Sequence, residues 1–290
     1  MNAGIRRMGL ALIAVTMLAA PHAIQADDEP EGKPDSEQEQ RVQVGLGAAL
    51  IILDEPYRGL KDEVDVLGIP LISVETKRFS WQGPRLAYKI VDKQTWAFDL
   101  VAAWRFYGVD PDDSDFLDGM QERKATLDAG VQVVYNTERT RTEMRAAVDT
   151  LDRHNGFDLS LDFGLPQRLG RWVVTPSLGL NYLDENFIDH YFGVAPDEAT
   201  PVRPEYAAKD ALNIVLGIEA FYPINERWIF IGGLRHEWLD SGITDSPIVE
   251  DDTRSSIFAG VSRRFGRTGR PRPSESREAA LSKPFRSARR

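Results

Sequence analysis

Four histidines are all this chain offers for imidazole chemistry, as general base near neutral pH or as nitrogen ligand: His22, His154, His190 and His236. The pair His236-Glu237 has the start of a zinc-protease motif, but Asp240 stands where a second histidine is required, and the surrounding residues alternate as a strand, not a helix. No zinc site is expected there. Ser160 and Ser177, both on the inward-facing rows, could serve as nucleophiles only with a base within hydrogen-bond reach, and no inward histidine can be paired with either. His154 beside Asn155 reads as a hairpin turn. Asp110, Asp112, Asp113, Asp115 and Asp118 make one dense acidic loop that invites calcium, yet it lacks the glycine and terminal glutamate of an EF-hand. A solvated loop is the expectation. With no cysteine in 290 residues, thiol nucleophiles and thiolate metal sites are excluded. No catalytic, cofactor-binding or metal-binding residue is expected.

What remains is a set of charged residues whose meaning depends on the elements that carry them. In GFDLSLDFGL, Gly156 to Leu165, the residues Phe157, Leu159, Leu161, Phe163 and Leu165 share one parity, while Asp158, Ser160 and Asp162 share the other. This is the period of a β-strand. The same alternation recurs in Thr95–Tyr107, where Trp96, Phe98, Leu100, Ala102, Trp104 and Phe106 form the apolar row, and in rows through Val42–Ile52, Trp172–Tyr182, Leu212–Tyr222 and Trp228–Trp238. Most segments run ten to fourteen residues, beyond the usual globular strand and suited to a tilted membrane strand of about 9–11 residues with overhang. Aromatics stand at the ends of the rows, as bilayer interfaces favour: Trp96, Phe98, Trp104, Phe106, Trp172, Tyr182, Trp228 and Trp238 are the expected interface residues. The charges then point into a lumen: Asp99, Arg105, Asp128, Glu143, Arg145, Asp149, Asp158, Asp162, Glu219, Arg227, Arg235 and Glu237. They either brace a filled interior as a mixed-sign lattice or line a channel.

Arg6 and Arg7 ahead of the apolar run Met8–Ala20, with small residues up to Ala26, read as a secretory signal peptide over 1–26. An acidic lead follows at 27–40 with net charge −6, and a basic tail at 266–290 carries +6; both compositions predict disorder. The body, 41–265, holds −12, a poor surface for nucleic acid. Backbone groups cannot stay unpaired in hydrocarbon, so the sheet must close. Eleven segments are legible: 41–53, 66–75, 78–91, 95–107, 123–136, 141–151, 156–165, 171–183, 209–223, 227–238 and 254–265. Single-chain bacterial barrels have even strand counts, so 12 is expected and 10 comes second, with the miscount placed in 54–91. Connections such as 92–94 and 166–170 are short. Those at 108–122, 184–208 and 239–253 are long and are expected outside the cell.

Several strings in this order resemble the MipA/OmpV family of outer-membrane proteins: Tyr57-Arg58-Gly59, Ile69-Pro70-Leu71-Ile72-Ser73, Phe116-Leu117-Asp118-Gly119-Met120, His190-Tyr191-Phe192-Gly193-Val194 and Ser246-Pro247-Ile248-Val249. The resemblance spans roughly 41–265. It implies an outer-membrane barrel, assembled by the barrel machinery and surrounded by outer-membrane lipid. It also implies a non-enzymatic scaffold between a lytic transglycosylase and a penicillin-binding synthase. It supplies no catalytic motif. Such barrels usually finish on a terminal aromatic; here Phe265 is the expected closing residue although 25 residues follow. A narrow pore for small solutes is the alternative reading, and an outer-membrane hydrolase ranks third.

Overall fold

The structure is a computed structural model that describes residues 42–61, 65–105 and 107–265. The proposed leader, acidic lead and basic tail, together with Phe106, lie outside the described residues. Thirteen strands run from Gln43 to Phe265, and twelve of them form a closed antiparallel ring. The ladder passes from β1 (Gln43–Leu53) through β2 (Asp65–Glu75), β3 (Phe79–Gln82), β4 (Arg85–Asp92), β5 (Trp96–Arg105), β6 (Thr126–Asn136), β7 (Arg141–Asp149) and β8 (Phe157–Gly164). It continues through β10 (Trp172–Leu183), β11 (Ala211–Pro223), β12 (Trp228–Trp238) and β13 (Thr253–Phe265). Pairing of β13 with β1, from Val44 opposite Phe265 to Leu53 opposite Ser256, closes the ring.

The apolar parity faces outward. Leu50, Leu100, Leu159, Leu161, Phe163, Leu178, Ile214 and Ile257 are all exposed, while their alternates are buried or half-buried. The aromatic ends separate into two belts. Trp96, Trp172, Trp228 and Phe265 lie near the short turns; Trp104, Tyr182 and Trp238 lie near the long loops. The rise is about 3.4 Å per residue and the tilt about 40°, so Trp96 to Trp104 spans about 21 Å along the axis and Trp228 to Trp238 about 26 Å. That is the height of a hydrocarbon layer in an outer membrane, about 25 Å.

Three details differ from the sequence expectation. The segment 78–91 is two strands, β3 and β4, joined at Gly83-Pro84; Gly83 takes φ +54°, a left-handed conformation that glycine adopts without steric cost. This is where the twelfth strand was hidden. Second, 166–170 is not all connection: β9 (Gln167–Leu169) pairs with β10 and resumes the edge that β8 leaves at Leu165-Pro166. Third, the inward face is not uniformly small or charged. Ala49, Ile51 and Leu53 of β1 pack against Leu67, Ile69 and Leu71 of β2 in a dry strip, reinforced by Ile231 and Phe258.

The β3–β4 hairpin is short, and it leaves a mark on its neighbour. Its tip donates Gly83 N–H to the carbonyl of Ile72, near the lower third of β2. Among the described residues no strand pairs with Asp65–Leu71 on that side. Backbone groups of Ile72, Pro70, Gly68 and Val66 share that direction, because successive residues alternate sides. Pro70, which has no N–H, stands where a donor would find no strand. Pro176 on β10 occupies the equivalent position opposite the β8–β9 break, its carbonyl taking Leu165 N–H at 2.9 Å. Strand prolines are confined to such interruptions because they cannot donate to a ladder.

Candidate functional site: the loop plug and the charged lumen

All the long connections leave the same end of the barrel, and their apolar residues make a second core. Tyr57, Tyr107, Leu117, Leu183, Phe187, Ile188, Tyr191, Phe192, Val194, Ala208, Ile243, Ile248 and Val249 form one buried cluster. Its centre is α1 (Glu185–Phe192), started by Asp184, whose Oδ1 accepts Phe187 N–H at 3.1 Å and Phe157 N–H at 2.8 Å. A Cβ at position 156 would come within 2.2 Å of that oxygen, so Gly156 lets the strand β8 begin against the helix cap. A shorter helix, α2 (Ser241–Thr244), is capped likewise by Asp240.

Four of the five strings that carry the family resemblance meet here; the fifth, Ile69–Ser73, lies in β2 and contributes to the inner strip of the barrel instead. Tyr57 stacks on Phe192 at 5.4 Å and its hydroxyl donates to the Tyr191 carbonyl at 3.2 Å. Arg58 N–H donates to Ile248 O at 2.8 Å, and Ser246 Oγ donates to Phe192 O at 2.6 Å. The 107–125 loop is fastened by buried charge. Arg203 donates to the carbonyls of Phe116, Asp118 and Glu198, while the Glu198 carboxylate takes Arg123 at 2.7 Å and the N–H groups of Gln121 and Ala195. Burial works against the Glu198 carboxylate, but these donors outweigh it and hold its pKa below the ordinary value. His190 is the opposite case: burial, then the nearby Arg123 and His154, lowers it to about 4, and its Nε2 has no hydrogen-bond partner. Sequence reasoning treated these segments as loops and missed both Glu198 and Arg203. No period marks them, because their partners on the 107–125 loop are 75 to 87 residues away.

Beneath the plug, Arg105, Asp128, Asp158 and Arg145 form a chain of ion pairs: Arg105 binds both carboxylates and Arg145 binds Asp158 at 2.7 Å. Arg254 pairs with Glu55 at 2.7 Å and lies 4.0 Å over the Tyr107 ring. Lower down, Glu143 holds Arg141 at 3.2 Å and Arg85 at 3.6 Å, and Lys89 pairs with Glu75 and Asp92. Glu237 Oε1 accepts from Asn213 at 3.0 Å and Asn181 at 3.5 Å. Asp99 and Asp162 are buried on the inward row, and Glu219 shares that parity nearer the short turns. Asp149, at the top of β7, works on the adjoining loop: it accepts the N–H groups of Leu151, Arg153, His154 and Asn155 and the Thr126 hydroxyl. Arg227 departs from the sequence expectation. It is exposed in the turn 224–227, because β12 starts only at Trp228, so it stands at the rim and not in the lumen.

Asp128, Asp149 and His154 come close enough to suggest a metal. Their bonding argues otherwise. His154 Nδ1 accepts Gly156 N–H at 3.0 Å, which leaves its proton on Nε2 to face Asp128 at 3.3 Å. With Asp149 saturated by four backbone donors, the cluster is a loop clasp. One histidine does reach a serine: His236 Nδ1 and Ser255 Oγ are 2.9 Å apart across the β12–β13 ladder, on the outward row beside Trp238. Sequence reading did not pair them, since only the register brings them together. Among the described residues no carboxylate bonds His236, so the orienting third group of a nucleophilic triad is missing.

A closed ring with greasy outward rows, two aromatic belts and charges turned inward defines an outer-membrane β-barrel protein. The family model described as MltA-interacting protein MipA matches residues 46–265, and the chain belongs to that family. It is 30% identical over 226 residues to the putative outer membrane protein YiaT of Escherichia coli strain K12, covering 77% of this chain and 91% of that one. It is 27% identical to the MltA-interacting protein of the same strain, covering 76% and 89%. Vibrio cholerae OmpV matches over 156 residues at 30% identity, 54% of this chain and 61% of that one. Among solved structures, the KdgM porin superposes with a TM-score of 0.37 at 8% identity, covering 77% of this chain and 99% of the porin. An outer membrane channel from Pseudomonas putida F1 gives 0.41 at 10% identity, covering 81% and 100%.

Proposed function

We propose that this barrel is a non-enzymatic scaffold of the cell envelope, and that partner enzymes of murein metabolism dock on its short-turn face. The occluded lumen supports this reading most: a packed loop core closes one mouth, and paired charges fill the space below it. By the asymmetry of such barrels, the plugged end faces outside and the short turns face the periplasm. The relative named for interaction with MltA points to the partner class, a lytic transglycosylase, with a penicillin-binding synthase as the second partner that the resemblance implies. A narrow pore is the second reading, favoured by the half-exposed inward groups at the short-turn mouth, such as Glu75 with 34% of its side chain accessible. Planar-bilayer recording separates the two. A scaffold gives no sustained ohmic steps and captures a lytic transglycosylase from cross-linked envelopes; steady conductance without such capture overturns it.

A further inference from the structure

The space between plug and lattice is lined by an excess of positive donors. Arg105 from β5, Arg145 from β7, Arg235 from β12 and Arg254 from β13 converge on a partly open cavity of about 30 Å³. Tyr107 roofs it, and Ser160, Ser256 and Asn181 complete the polar wall. Glu237 is the one carboxylate on this lining, and its Oε1 is taken by the two asparagines. Three of the four guanidiniums are anchored from behind, by Asp128 and Asp158 or by Glu55. Anchoring does not exhaust them, because each guanidinium carries five N–H donors. Arg145 Nε and Arg254 Nε are buried without any partner. Arg235 forms no ion pair among the described residues, although Asp162, which leans over Gly179 across β10 and β11, feels its charge.

Unpartnered charged donors are costly in a low-dielectric interior, and an anion with several acceptor oxygens answers more than one of them at once. We propose that this cavity binds a small oxyanion, the carboxylate or phosphate group of a solute. Arg235 is the ligand contact free to turn toward it, while Arg105, Arg145 and Arg254 are held in place by their acids. Binding and conduction are independent: an oxyanion can be held in a barrel that passes no current.

The test uses the full mature chain in detergent micelles, with unfolding followed by tryptophan emission. Sodium phosphate and sodium acetate are titrated against sodium chloride at equal ionic strength. A saturable rise in the unfolding midpoint is expected with phosphate, acetate or both, and the arm that responds names the source chemistry. The rise should vanish in Arg235→Gln and persist in Arg168→Gln, which alters an exposed arginine of β9. Should Arg235→Gln not fold, Ser256→Ala takes its place, with binding weakened about tenfold as expected for loss of one charge-assisted bond. No saturable rise in the wild-type chain, or an equal rise after Arg235→Gln, overturns the proposal.

Discussion

His190 shows how one side chain ties the plug to its surroundings. Its half-buried ring lies edge-on to Tyr191 of the loop core at 4.7 Å, and Arg123 and His154 oppose a further positive charge there. In the unfolded chain a histidine takes up its proton near pH 6.5, whereas here that point is lowered to about 4. Between those values the unfolded loops hold the extra proton and the folded plug does not, so plug stability falls as pH drops from about 6.5 toward 4. Hydrogen exchange of residues 185–192 should therefore quicken from pH 7 to pH 5, after correction for intrinsic rates. His190→Phe should flatten that response, and an undiminished response in the variant rules out His190 as its source. The family strings were legible as words in the sequence, but their shared destination was not. Tyr57 and Tyr191 are 134 residues apart, and a hydrogen bond at that separation leaves no periodic trace.

At the level of the strand, alternation carried most of the information, and the one miscount can be traced. Outward residues are odd in Phe79 and Trp81 but even in Leu86, Tyr88 and Ile90. That switch of parity across Gly83-Pro84 is a hairpin signal, lost when 78–91 is taken as one run. The dry inner strip of β1 and β2 escaped for another reason: the alternation read at the start of β1 fades from Ala49 to Leu53, where both faces are apolar, as they are from Val66 to Leu71. Register could not be read at all, which is why His236 and Ser255 were not joined; Arg227 was assigned to the lumen because the strand's first residue is Trp228, one place later than its alternation suggests. Pro70 gives this scale its own test. Substituting alanine for a proline in a paired strand restores a ladder bond, but Pro70→Ala would add an N–H aimed at the side of β2 that no described strand covers. Loss of about 1–3 kcal/mol is expected, the cost of an unsatisfied donor. Urea unfolding from liposomes reads it, and a gain in stability would show that a partner for that donor exists.

For the molecule as a whole, every rung of the ladder is in place by Phe265, which sits opposite Val44. We expect a chain ending at Phe265 to insert and to keep its heat-modifiable mobility on gels at wild-type yield; failure to insert would assign the following residues a part in assembly. Closing the ring joins the first strand to the last, a step that waits for the whole chain. The loops next to that junction are fastened across it: Asp54 N–H to Ser255 O at 3.0 Å, Glu250 N–H to Pro56 O at 2.8 Å, Arg254 to Glu55 and Arg58 to Ile248. None of these bonds can form before β1 and β13 are neighbours. The first and last strands thus meet along a seam that is sutured from above once it has zipped. Of all the lines along which this cylinder could split, the one sealed last is among the hardest to reopen.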